Sequence, residues 1–201
     1  VTSPVRDLSP DRLYQAVRTP EFVRVPELAF AMIDGSGDPN TSAAYRDALE
    51  ALYGLSYTLK FALKKELGLS YRVGPLEGLW WADDMAVFST GRKADYRWTM
   101  MIAQPDEVTA ERFDRARDEV RRKKGPGVLD RTRLERFAEG LAAQILYLGP
   151  YRDEGPTIEG LHAFIRDAGH RLRGKHHEIY LGDPRRSAPE KLRTIIRQPI
   201  A

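Results

Sequence analysis

The chain has 201 residues, enough for one large domain or two small modules sharing a core. Its 32 Lys and Arg against 29 Asp and Glu give a formal net charge of +3, with both signs mixed along the chain, so the one-sided basic stripe of a nucleic-acid binder is absent. No cysteine is present, which excludes disulfides, thiolate catalysis and cysteine-bearing metal frameworks and suits a reducing compartment.

Residues 1–20 are polar and punctuated by proline, and they read as a surface arm with one helical turn after Ser9 and no chemistry. Residues 22–33, FVRVPELAFAMI, read as a strand in which Pro26 marks the start or an edge. After the turn DGSGDPN, the residues Tyr45, Leu49, Leu52, Leu55, Leu59 and Leu63 recur at threes and fours. That stripe predicts an amphipathic helix over 41–67, closed by Gly68. Strands follow near 71–81 and 96–104 with a polar loop between them, and a helix near 105–124 ends at GPG. Residues 133–148 are open between helix and strand at their start. Gly149 and Pro150 turn the chain into a helix near 157–172, and strands near 175–181 and 191–199 complete it. No run has the apolar length of a signal peptide core or a membrane span, so the expectation is a cytoplasmic protein with no membrane partner.

The strand RWTMMIAQP, ending at Pro105, returns as KLRTIIRQP, ending at Pro199. Each is preceded by an aromatic-rich strand carrying a glutamate, GPLEGLWW around Glu77 and KHHEIYLGDP around Glu178, and each of those by a helix and an apolar run. The order strand, helix, strand, strand therefore occurs twice. This predicts an α+β fold built as a tandem duplication, with a ligand cleft between the halves. The expected parts are an arm over 1–21, a first module over 22–104, a connecting helix and loop over 105–132, and a second module over 133–201.

Several motifs have ordinary explanations. GSGDP lacks both the G-x-G-x-x-G spacing and the Walker lysine, so turn chemistry accounts for it. The basic run at 121–124 sits at a helix end, where cations complement the dipole. The histidines at 162, 170, 176 and 177 form no H-E-x-x-H and no i, i+4 pair, so neither a metal site nor a cofactor is expected. No serine sits in a G-x-S-x-G elbow.

What remains is a carboxylate among aromatic residues. Alternate strand residues share a face, so His176, Glu178 and Tyr180 point one way, while His177, Ile179 and Leu181 point the other, toward a covering helix. Glu178 then faces the cleft. Trp80 or Trp81, Trp98, Tyr57 and Tyr147 are the candidate aromatic neighbours, with burial for packing as the ordinary alternative. A carboxylate in such a lining either does proton work or pairs with a cation, here one of the many arginines.

At these residues the chain resembles the GyrI-like small-molecule-binding family, a tandem of SHS2-type strand-helix-strand-strand modules. The resemblance covers most of residues 22–200. It rests on LEALYGLSYTLKF, PLEGLWW, YRWTMMIAQP and above all HHEIYLGDPRRSAPEKLRTIIRQP. The stand-alone subgroup with PLEGLWW is similar to cyclopropanoid cyclopropyl hydrolases, which open the strained ring of DNA-alkylating compounds by adding water within an aromatic cage. The resemblance implies Glu178 and Tyr180 as catalytic residues, with Tyr57, Trp80, Trp98, Tyr147 and His176 against a planar, apolar small molecule. No helix-turn-helix fits into the arm, which argues against a transcription regulator. Two alternatives stay open: a sequestering module in which Glu178 is the counter-ion of a lipophilic cation, and an interaction protein that inhibits a partner enzyme. Either form reads as a monomer or weak homo-oligomer.

Overall fold

Helix α1, Ala43–Leu67, is bracketed by the residues that its ends require. The Ser42 side chain accepts the Tyr45 amide, and Gly68 stops the helix in the left-handed region at φ 68, its N–H reaching back to the last turn. Between these ends Leu52, Leu55, Leu59 and Leu63 are fully buried along one stripe, as the leucine spacing predicts.

The computed structural model describes residues 4–83, 92–125, 127–184 and 186–201. The polar loop expected between the second and third strands falls in part outside them. The other elements are β1 Val5–Asp7, β2 Glu21–Ser36, β3 Leu76–Trp81, β4 Arg97–Gln104, α2 Ala110–Lys124, β5 Arg133–Leu148, α3 Gly155–Asp167, β6 His176–Tyr180 and β7 Arg193–Pro199. The fold is α+β, and strand, helix, strand, strand occurs as β2-α1-β3-β4 and as β5-α3-β6-β7. The segment left open by its sequence is strand β5. Its period is two: Leu141, Ala143, Ile145 and Tyr147 join one apolar cluster, while Gln144 points to the opposite face. Helix α2 starts later than its proline suggested, at Ala110, because Thr109 caps it, and α3 ends at Asp167 as the chain turns through Gly169 at φ 82.

The chain forms two compact units. One comprises Leu28–Gly74 and Trp80–Phe137. In it β2 runs antiparallel to β4, from Ala29 opposite Gln104 to Ser36 opposite Arg97. Helix α1 packs on α2 through Ala51 and Val120, joined by Leu129, and the buried Gln104 amide donates to Ser56 Oγ at 3.0 Å. Trp98 is fully enclosed here and lies on Gly35, its partner across the ladder. A Cβ at Gly35 would meet three ring carbons of Trp98 at 2.1–2.6 Å, so only glycine fits. The edge of Tyr45 closes the arrangement at 5.3 Å and 89°.

The other unit comprises Val1–Glu27, Pro75–Leu79 and Ala138–Ala201. Strand β7 lies between β5 and β6, antiparallel to both, with β3 on the far side of β6, and β1 runs parallel to the start of β2. Helix α3 packs Leu161 and Ile165 onto Phe22, Ala143, Ile196 and Ile200. Among the described residues no helix is long and apolar enough to cross a membrane.

The fit of Trp98 on Gly35 gives a stability test. Gly35→Ala should destabilise the chain by roughly 1–3 kcal/mol, the cost of overpacking a filled core. Denaturant titration should also show that Trp98→Leu and Gly35→Ala together cost less than their sum, since removing the indole relieves the clash. Additive costs would show that the two residues do not share the site.

Candidate functional site

Strand β6 has five residues and two distinct faces. On one, His176 Nε2 lies 3.1 Å from Glu178 Oε1, and the Tyr180 hydroxyl donates to Glu178 Oε2 at 2.8 Å. The three alternate residues expected to share a face therefore meet through a carboxylate that is only 9% exposed. Tyr151 places its ring 5.5 Å from that of Tyr180, nearly edge-on, and Tyr147 donates its hydroxyl to the Pro150 carbonyl at 3.0 Å. Burial pushes the Glu178 carboxyl up, but the hydrogen bonds from His176 and Tyr180, the charge of His176 and a hydrogen bond shared with Glu154 outweigh it, and the net direction is down. Glu178 is thus held as an anion.

The orientation of this face differs from the sequence expectation. Glu178 stands opposite Ile196 in the β6–β7 ladder, and Ile196 packs against Leu161 and Ile165 of α3. Helix α3 therefore covers the Glu178 face, and Ile179 lies on the other side. Strand β6 alone cannot reveal which side the helix takes; Ala143 and Ile196 on its neighbours decide it.

The opposite face holds a buried ion cluster that sequence reasoning missed. His177 is 1% exposed, with Nε2 3.0 Å from Glu77 Oε2 and Nδ1 2.9 Å from Glu139 Oε1. Arg197, opposite His177 in the ladder, donates from Nη1 to Glu139 Oε2 at 3.2 Å and from Nε to Gln144 Oε1 at 3.0 Å. The N-terminal arm, expected to carry no chemistry, completes the set: Tyr14 donates to Glu77 Oε1 at 2.8 Å, and the Leu13 carbonyl accepts from Arg197 Nη2 at 2.9 Å. Two carboxylates and two cations cancel, so no net charge is buried. The available signal was Glu77 in the otherwise apolar run LEGLWW, since a carboxylate there must pair.

Burial would lower the His177 pKa, but Glu139 and Glu77 raise it to about 9. Glu139 moves the other way: burial raises it, and His177 with Arg197 brings it down to about 2. Burial and the adjacent Glu77 also raise the Tyr14 phenol, which stays neutral as a hydrogen-bond donor.

Of the remaining sequence candidates, Tyr147 joins the α3 side of the β5–β7 ladder, next to the Glu178 face. Tyr57, Trp80 and Trp98 belong to the other unit. There Tyr57 is 47% exposed on α1, and Trp80 has ring neighbours in Tyr45 and Tyr96, each at 6.2 Å. Trp80 is buried, whereas Trp81 is half-buried. Among the described residues, no group of three or more His, Asp or Glu is placed to hold a metal ion.

The cluster makes stability depend on pH. His177 is protonated in the folded chain up to about 9 against an ordinary 6.5, so its contribution is complete below about 6.5 and is lost as pH rises through about 9. Unfolding free energy should fall over that interval, and His177→Gln should flatten the fall while costing about 3–5 kcal/mol at neutral pH, because Glu77 and Glu139 lose their shared cation. A variant as stable as the parent would mean that the cluster is not formed.

The profile of the GyrI-like small molecule binding domain matches residues 18–201. A hydrolase from Listeria innocua is 36% identical and superposes with a TM-score of 0.85 over 98% of this chain and 100% of its own. An uncharacterized conserved protein from Listeria innocua is also 36% identical, with a TM-score of 0.89 over 98% and 100%. The EcmrR C-terminal domain shares the fold at 10% identity, with a TM-score of 0.58 over 91% of this chain and 97% of that one. No curated protein matches. With a profile match over nearly its full length, the chain belongs to the GyrI-like small-molecule-binding domain family.

Proposed function

We propose that this GyrI-like domain hydrolyses electrophilic small molecules, specifically the activated cyclopropane of DNA-alkylating xenobiotics, and so protects the cell. The two strand-helix-strand-strand runs are read as a tandem duplication of one SHS2-type module. The observation that carries the reading is Glu178, a nearly enclosed carboxylate held ionised between His176 and Tyr180. The Listeria hydrolase, 36% identical over almost the whole chain, supports the reaction class.

The chemistry follows from what the site offers. The water oxygen forms a bond to a ring carbon, the strained carbon–carbon bond breaks, and its electron pair moves to the conjugated carbonyl oxygen. Glu178 takes the proton of the attacking water and passes it to that oxygen, so water is consumed and nothing is left on the protein. The hydrogen bonds that keep Glu178 ionised also make it a weak base, and ring strain supplies the driving force that it lacks. No covalent nucleophile is required. Tyr180 presents aromatic surface beside the carboxylate, Tyr147 would extend it from β5, and the His176 ring would hydrogen-bond an oxygen gathering charge.

A second reading has its own support, because an anion bordered by Tyr180 and Tyr151 is also a counter-ion for a lipophilic cation. Glu178→Gln separates the two. If the carboxylate activates water, the variant should bind a neutral cyclopropane substrate like the parent but lose on the order of 10² to 10⁴ in turnover. Turnover at the parental rate would remove Glu178 from the mechanism. A parent without turnover, together with a variant that selectively loses affinity for cations, would establish the counter-ion role.

A further inference from the structure

One hydroxyl beside Glu178 has no assigned role. Thr194, on β7, is fully buried, and its Oγ1 is enclosed with no hydrogen-bond partner among the described residues. It stands opposite Tyr180 on β6 and opposite Tyr147 on β5, so its side chain shares the face that carries Glu178. The hydroxyls of both tyrosines have acceptors of their own, Glu178 Oε2 and the Pro150 carbonyl. A buried hydroxyl without a partner is unusual in a folded chain and is most often satisfied by an ordered water or a ligand.

Glu178 is the diagonal neighbour of Thr194, two residues along β6 from its direct partner. Such neighbours have β-carbons roughly 7 Å apart, a separation that a glutamate side chain and one water molecule bridge. The site is polar on both sides, which a bound water needs. Valine would fill the same space without an orphaned hydroxyl, so packing alone does not explain threonine here.

We propose that Thr194 Oγ1 and the Glu178 carboxylate together hold an ordered water, with Thr194 as its positioning residue. On the hydrolase reading above, this is the water added to the substrate. Thr194 accepts one of its hydrogens and Glu178 the other, which leaves an oxygen lone pair free for the ring carbon. The hydrogen bonded to Glu178 is the one transferred as the carbon–oxygen bond forms.

The test compares Thr194→Val and Thr194→Ser with the parent, by high-resolution crystallography and by turnover of a neutral cyclopropane substrate. The parent and Thr194→Ser should show a water within hydrogen-bond distance of both side chains, and Thr194→Val should lack it. Thr194→Val should unfold no earlier than the parent, since no hydrogen bond within the chain is lost. Its kcat should fall about 10- to 100-fold with little change in KM, and serine should restore it. No water between the two side chains in the parent overturns the proposal, as does Thr194→Val turning over at the parental rate. A parent that carries the water but hydrolyses nothing keeps the water site and removes the hydrolase reading instead.

Discussion

A protonated imidazole buried between two carboxylates sets the frame for everything else in its unit. His177 can keep its charge under 1% exposure only because Glu77 on β3 and Glu139 on β5 flank it, and Glu139 is in turn shared with Arg197 on β7. Three neighbouring strands are thereby tied to the centre of β6 by hydrogen bonds that tolerate little displacement. A slip of one residue in β6 would put His177 on the α3 side and take from both carboxylates the cation that they share, so the cluster fixes the register. The arm is fixed by the same constraint, because Tyr14 and the Leu13 carbonyl satisfy atoms that the strands leave over.

Once the register is fixed, the adjacent residue has no choice of side. Glu178 emerges on the α3 face, next to an apolar cluster, where an unassisted carboxylate would take up a proton. His176 and Tyr180, two residues away in each direction, prevent that through bonds of 3.1 and 2.8 Å. A single pentapeptide, HHEIY, thus carries two histidine–glutamate pairings with different roles. One is closed on all sides and neutral overall, suited to holding strands together. The other has an anion bordered by tyrosines, suited to acting on something else.

Local periodicity carried much of this information. The leucine spacing locates α1 and its end at Gly68, and strand alternation alone places His176, Glu178 and Tyr180 on one face. The same alternation says nothing about which side a helix takes, and Ile179 was a poor guide because the decisive apolar residues, Ala143 and Ile196, lie on strands distant in sequence. The ion cluster was illegible for a related reason. Its members at 14, 77, 139, 177 and 197 meet only after folding, and each has an ordinary surface reading when taken alone. Gly35 likewise looked like part of a polar turn, whereas the ladder places it beneath the Trp98 ring.

Addition of water to a strained ring is the activity proposed for this GyrI-like domain. The direct measurement is mass spectrometry of a cyclopropane-bearing alkylator incubated with the protein in ¹⁸O-labelled water. The account predicts a product heavier by one water, with the label retained at the opened ring carbon and formed only when protein is present. Recovery of the alkylator unchanged, bound or free, would contradict it.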